Sequence, residues 1–139
     1  MAREEVNVTW LENMAFEAEI NGHKLVIDAV EKVGGENRGP RPKPFMLAAL
    51  AGCTGMDVVS ILKKMRVEPD YFNVKVEGDL TEEHPKHFYK MHVIYEFKGK
   101  DLPMEKLEKA VSMSEEKYCG VSATYKKALE LSSEIRIIE

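Results

Sequence analysis

Cysteine is nearly missing from this chain. It has two in 139 residues, Cys53 and Cys119, far apart in sequence. A small secreted scaffold stapled by disulfides would carry more. There is no CxxC motif, which leaves two inert buried thiols, a metal site or a reactive pair. Glutamine is absent and aspartate scarce, while Lys and Glu are abundant, a composition met in heat-stable proteins. A basic block is lacking too. Lys plus Arg number 20 against 24 Asp plus Glu, a net charge of −4, with the signs mixed along the chain. Binding to nucleic acid therefore has little electrostatic support. MAREEVNVTW has no signal-peptide core, and no unbroken apolar run reaches the roughly 18 residues of a membrane span. These absences predict a soluble cytoplasmic protein with no membrane partner. With no internal repeat and no low-complexity linker, the length predicts a single domain over residues 1–139.

Hydrophobic periodicity gives the order of elements. Val6 to Phe16 reads as a strand interrupted at Leu11-Glu12-Asn13. Asn21-Gly22 marks a hairpin whose return strand is Lys24 to Ala29. Gly34 to Pro44 is too rich in Gly and Pro to be regular and reads as a loop. Phe45 to Met65 is apolar nearly all round, which predicts a long helix buried within the protein. Gly52 and Gly55 weaken it by about 1 kcal/mol each relative to Ala. Phe72 to Leu80 and Phe88 to Phe97 alternate as half-buried strands do, joined by a polar hairpin loop. Pro103 to Tyr118 and Val121 to Leu131 read as helices, and Glu134 to Ile138 as a short closing strand. Strands and helices are grouped and do not alternate, which predicts an α+β fold with a largely antiparallel sheet.

Cys53 lies within AALAGCTGMDVV in the apolar helix, and Cys119 lies at a junction between two helices, in EEKYCGVSAT. If Val121 begins a helix, Cys119 sits near its positive end, where unpaired N–H groups favour a thiolate. A thiolate attacks a peroxide oxygen to give a sulfenic acid, and a second thiol condenses with it to a disulfide. Inert, buried cysteine is the commoner fate of such residues, and sequence separation alone does not bring the two together. Other signals are weaker. His84 and His87 fall in the hairpin loop, Asp57 reads as capping or structural, and the methionines are spread through the core.

Three stretches, GGENRGPRP, LAALAGCTGMDVVSILKKMR and YCGVSAT, together resemble the OsmC/Ohr family of organic hydroperoxide reductases. The spacing of Cys53 and Cys119 is similar to that of the family's cysteine pair. The resemblance implies curved sheets around a long buried central helix and an intertwined homodimer with active sites near its interface. It implies Cys53 as peroxidatic and Cys119 as resolving cysteine. It also implies organic hydroperoxides as substrates, a dithiol such as a lipoylated protein as reductant, a part in oxidative-stress defence, and no metal or cofactor. The family's activating Arg and Glu have no counterpart here. Glu12 to Val30 contains no Arg, Pro42-Lys43-Pro44 stands where the Glu is expected, and Gly120 replaces a Pro after the second cysteine. Arg38 is the candidate replacement cation, with Arg41 and Glu36 behind it. The departures leave a second reading open, a non-catalytic or redox-sensing OsmC-like protein binding a small hydrophobic ligand at the dimer interface.

Overall fold

The computed structural model describes residues 2–139. They form two compact units, one ending at Met46 and one running from Leu47 to Glu139.

The first unit holds an antiparallel sheet of β1 (Asn7–Glu12), β2 (Ala15–Ile20) and β3 (His23–Ile27) in that order. Val6 to Phe16, expected as one strand, is instead a hairpin that turns at Asn13, whose φ is 53°. Asn tolerates that left-handed conformation better than most residues do. Here Asn13 Nδ2–H donates to the Gly34 carbonyl at 2.9 Å. The Asn21-Gly22 turn joins β2 to β3 as the sequence indicates, with both residues at positive φ.

The loop that follows is organised by Asp28. Its carboxylate accepts N–H bonds from Ala29 at 2.7 Å, Glu36 at 3.2 Å and Arg38 at 3.0 Å. The bond from the Arg38 N–H is the main cause that lowers the Asp28 pKa; burial opposes it. A side chain at Gly35 or Gly39 would run into the carbonyl groups of Ala29 and Val26. These two glycines let the loop lie against the end of β3.

The second unit is a three-stranded sheet, β4 (Tyr71–Leu80), β5 (Phe88–Lys98) and β6 (Glu130–Ile137), with β5 in the centre. β4 pairs antiparallel to β5, and β6 pairs parallel to it from Lys90↔Glu130 to Phe97↔Ile137. The helical segments are α1 (Pro44–Lys64), α2 (Met104–Met113), a π-helical turn at Ser114–Tyr118 and α3 (Gly120–Tyr125). Leu50, Val58 and Leu62 of α1 pack with Tyr95 and Phe97 of β5 and Leu107, Ala110 and Val111 of α2. Phe72 stacks on Phe97 with ring centroids 4.5 Å apart. This is the α+β class expected from the grouping of elements.

Three expectations change. The helix expected over Val121 to Leu131 stops at Tyr125, and β6 begins at Glu130, not Glu134. The residues KKALEL suit a helix locally. Pairing along β5 takes Glu130 and Leu131 into the ladder, and Leu129, Leu131 and Ile135 pack against the core. The central helix is not buried on all sides of this chain. Its buried residues are Leu50, Thr54, Val58 and Leu62, a single stripe at four-residue spacing, while Met56 is 76% exposed and Val59 54%. By length and composition α1 also suffices to cross a membrane, contrary to the count of unbroken apolar residues. The small and polar residues Gly52, Thr54, Gly55 and Ser60 interrupt the run without greatly lowering its average hydropathy.

Candidate active site

α1 and the start of α3 bring the two cysteines together. The π-helical turn after α2 widens the chain so that the Cys119 N–H closes onto the Ser114 carbonyl at 2.7 Å. Such wide turns recur at functional sites. Cys119 then leaves helical geometry (φ −77°, ψ 101°) and becomes the N-cap of α3, its sulfur accepting the Ser122 N–H at 3.4 Å. The preceding N–H, that of Val121, acts on Cys53 and favours its thiolate. Consecutive amides at the opening of one helix therefore act on both cysteines. Cys53 also packs against the buried cluster that holds Cys119. Both are free, with Cys53 half-buried and Cys119 buried.

These amides do not suffice to activate Cys53. Burial pushes its thiol pKa up, and the Val121 N–H opposes this. Cys119 pushes it further up, and so does the charge of Asp57 one helical turn away. Burial and Cys119 also raise the Tyr125 phenol.

Next to the thiols runs a chain of buried hydroxyls that sequence reasoning did not find. Asp57 Oδ2 accepts from Ser114 Oγ at 2.8 Å, and Ser114 Oγ lies 2.7 Å from Thr54 Oγ1. Thr54 Oγ1 lies 2.8 Å from Tyr95 Oη, which donates to Glu115 Oε2 at 2.8 Å. Ser133 Oγ–H donates to the other oxygen of Glu115 at 3.1 Å. Thr54, Ser114 and Tyr95 have no exposed surface. Burial, together with the Glu115 charge, pushes the Tyr95 phenol far above its ordinary range, against the bond from Thr54. The only sequence signal for this chain is polar residues at Thr54 and Ser114 inside apolar helical stretches, and spacing does not show that they meet. Asp57 is structural as expected, though as an acceptor for Ser114 and not as a helix cap.

Arg38, the candidate cation, belongs to the first unit. Its guanidinium pairs with Glu12 at 3.6 Å and its N–H is one of the three held by Asp28. Arg41 and Glu36 are exposed in the same loop. His92 points to Ser132, with Nδ1 2.7 Å from its hydroxyl, and to Glu134.

Two cysteines meet at the junction of a long helix and a short one, on an α+β frame. Residues 34–134 match the family model for OsmC-like protein, and the chain belongs to that family. Protein YhfA of Escherichia coli K12 is 30% identical over 135 residues, covering 96% of this chain and 98% of that one. A hypothetical protein from Aquifex aeolicus VF5 is 30% identical, with a TM-score of 0.82 and full coverage of both chains. The organic hydroperoxide resistance protein OhrB of Bacillus subtilis shares the fold at a TM-score of 0.69 and 18% identity, over 97% of this chain and 98% of that one. The OsmC-like fold is that of a soluble domain.

Proposed function

We propose that this protein is a thiol-dependent peroxidase that reduces organic hydroperoxides, with Cys53 attacking and Cys119 resolving, in cytoplasmic defence against oxidative stress. The observation that carries the reading is the nearness of two thiols remote in sequence: Cys53 packs against the buried cluster that includes Cys119, and Cys119 pushes its pKa up. The Cys53 thiolate attacks one peroxide oxygen. The S–O bond forms as the O–O bond breaks, and the departing alkoxide takes up a proton and leaves as the alcohol. Cys53 is then a sulfenic acid. The sulfur of Cys119 displaces water from it to give the Cys53–Cys119 disulfide. A dithiol reductant, such as a lipoylated protein, returns both thiols by exchange. The protein works as a homodimer, a second copy covering the apolar outer face of α1 around Met56 and Val59.

The raised pKa of the Cys53 thiol favours a second reading, in which the same thiols sense oxidants, or flank a small-ligand site, without sustained turnover. One experiment separates the two. Reduced protein receives one equivalent of cumene hydroperoxide; free thiols are counted and the new bond is mapped by mass spectrometry. Rapid loss of both thiols into a Cys53–Cys119 disulfide, followed by repeated turnover with dihydrolipoamide, is expected of the peroxidase. A single slow oxidation without turnover favours the sensor, and two unreacted thiols reject both redox roles.

A further inference from the structure

The hydroxyl chain has one hydrogen too few. Four contacts of 2.7 to 2.8 Å link Asp57, Ser114, Thr54, Tyr95 and Glu115 in a line. Each length is that of a true O–H···O bond. Three hydroxyls supply three hydrogens. With both end carboxyls ionised, one of the four contacts would join two oxygens with no hydrogen between them, at a length that only a hydrogen-bonded pair keeps. The Ser114 hydroxyl reaches one further acceptor, the Thr54 carbonyl, but at 3.5 Å that is too long to compete. A proton on either end carboxyl completes the line. On Asp57, every O–H donates toward Glu115; on Glu115, every O–H donates toward Asp57.

We propose that this chain holds one proton shared between Asp57 and Glu115, and that the end it occupies sets whether Cys53 ionises. The link to Cys53 is Asp57, four residues on along α1, whose negative charge opposes the thiolate. With the proton at Asp57 that opposition disappears; with the proton at Glu115 it returns. Asp57, Ser114, Thr54, Tyr95 and Glu115 are thus positioning residues for the thiol and touch no substrate. The idea rests on Cys53 as the attacking thiol for its functional meaning, although the chain itself is testable without any peroxide. Other charged groups face its ends. Lys64 of α1, Lys109 of α2 and Tyr118 line a cavity of about 510 Å³ with Asp57. Glu115 shares surface grooves with Glu108, Glu116, Glu134 and Lys126, the last of which donates to the Glu115 carbonyl at 2.7 Å.

Isosteric amides lock the chain in its two directions, because an amide N–H₂ supplies the missing hydrogen from a fixed end. Asp57→Asn mimics the proton at Asp57, and Glu115→Gln mimics the proton at Glu115. The reading is the pH dependence of iodoacetamide labelling at Cys53, located by mass spectrometry, with no hydroperoxide present. The expected midpoint falls in Asp57→Asn and rises in Glu115→Gln, each on the order of one pH unit. The sign is diagnostic. Acting through space alone, Glu115→Gln removes a negative charge and lowers the midpoint or leaves it in place. Tyr95→Phe provides a second test that changes no charge. It leaves two hydroxyl hydrogens for two remaining contacts, keeps Asp57 ionised, and is expected to raise the midpoint as well. Independently of folding in any variant, wild-type protein at neutral pH is expected to show one protonated carboxyl in its infrared spectrum. A spectrum with no protonated carboxyl, or a midpoint that fails to rise in both Glu115→Gln and Tyr95→Phe, overturns the chain. Midpoints that move as expected beside absent cumene hydroperoxide turnover would instead fault the peroxidase reading.

Discussion

Thr54 and Ser114 come from helical segments sixty positions apart, yet their hydroxyl oxygens lie 2.7 Å from each other with no exposed surface on either residue. That contact ties α1 to the π-helical turn, and the carbonyl of the same turn residue accepts the Cys119 N–H. The geometry of the second thiol is therefore coupled to a buried hydroxyl next to the first.

Thr54→Val removes a hydroxyl that both Tyr95 and Ser114 use, at nearly constant volume. Ser114 keeps its bond to Asp57 and Tyr95 its bond to Glu115, so the cost is that of two lost hydrogen bonds, about 0.5–1.5 kcal/mol each. The variant is expected to fold with its denaturation midpoint lowered by a stability loss of roughly 1–3 kcal/mol, measured by urea unfolding under reducing conditions.

Leu62→Ala tests the packing stripe of α1. Leu62 is 2% exposed, and truncating a buried leucine costs about 2–5 kcal/mol through lost transfer energy and the cavity left behind. Met56→Ala, on the exposed face of the same helix, is expected to leave the stability of the monomer nearly unchanged and to weaken self-association, read by sedimentation.

The Cys53 thiol predicts how stability varies with alkaline pH. Its folded pKa is raised above the ordinary thiol value, so between the unfolded and folded values the unfolded chain binds fewer protons. Stability then falls as pH rises through the ordinary thiol pKa. The slope is expected to shrink in Cys53→Ala, measured by denaturant unfolding across the alkaline range in the presence of reductant.

Asp28 predicts the opposite limb. Its folded pKa is lowered, so its contribution is present above the ordinary carboxylate pKa and lost as pH falls through the folded value. Asp28→Ala leaves the N–H groups of Ala29, Glu36 and Arg38 without their acceptor. Amide hydrogen exchange at Glu36 and Arg38 is expected to accelerate strongly at neutral pH.

Cys119→Ser separates the proposed roles of the two thiols. Serine keeps a hydrogen-bonding N-cap for α3 but cannot close a disulfide. One equivalent of cumene hydroperoxide is expected to leave a sulfenic acid at Cys53, trapped by dimedone. Cys53→Ser is expected to leave Cys119 unmodified on the same timescale. Dimedone labelling of Cys119 in that variant would reverse the assignment.

The amino-acid order by itself determined what depends on neighbours in sequence. Alternation in Phe72 to Leu80 and Phe88 to Phe97 fixed two strands, Asn21-Gly22 fixed a turn, and the grouping of elements gave the α+β class. The cysteine-bearing stretches pointed to the family through resemblance. Only tertiary structure decided the rest. Lys126 to Leu131 favours a helix locally, and the long edge of β5 draws its end into a parallel strand. The periodicity of α1 marks apolar positions but not which of them meets a neighbour, so the single stripe from Leu50 to Leu62 emerged only when β5 and α2 packed on it. The packing of Cys53 against the cluster that holds Cys119 and the line from Asp57 to Glu115 depend on side chains remote in sequence and close in space. Hydrogen bonds form within about 3 Å, a range that sequence spacing does not encode.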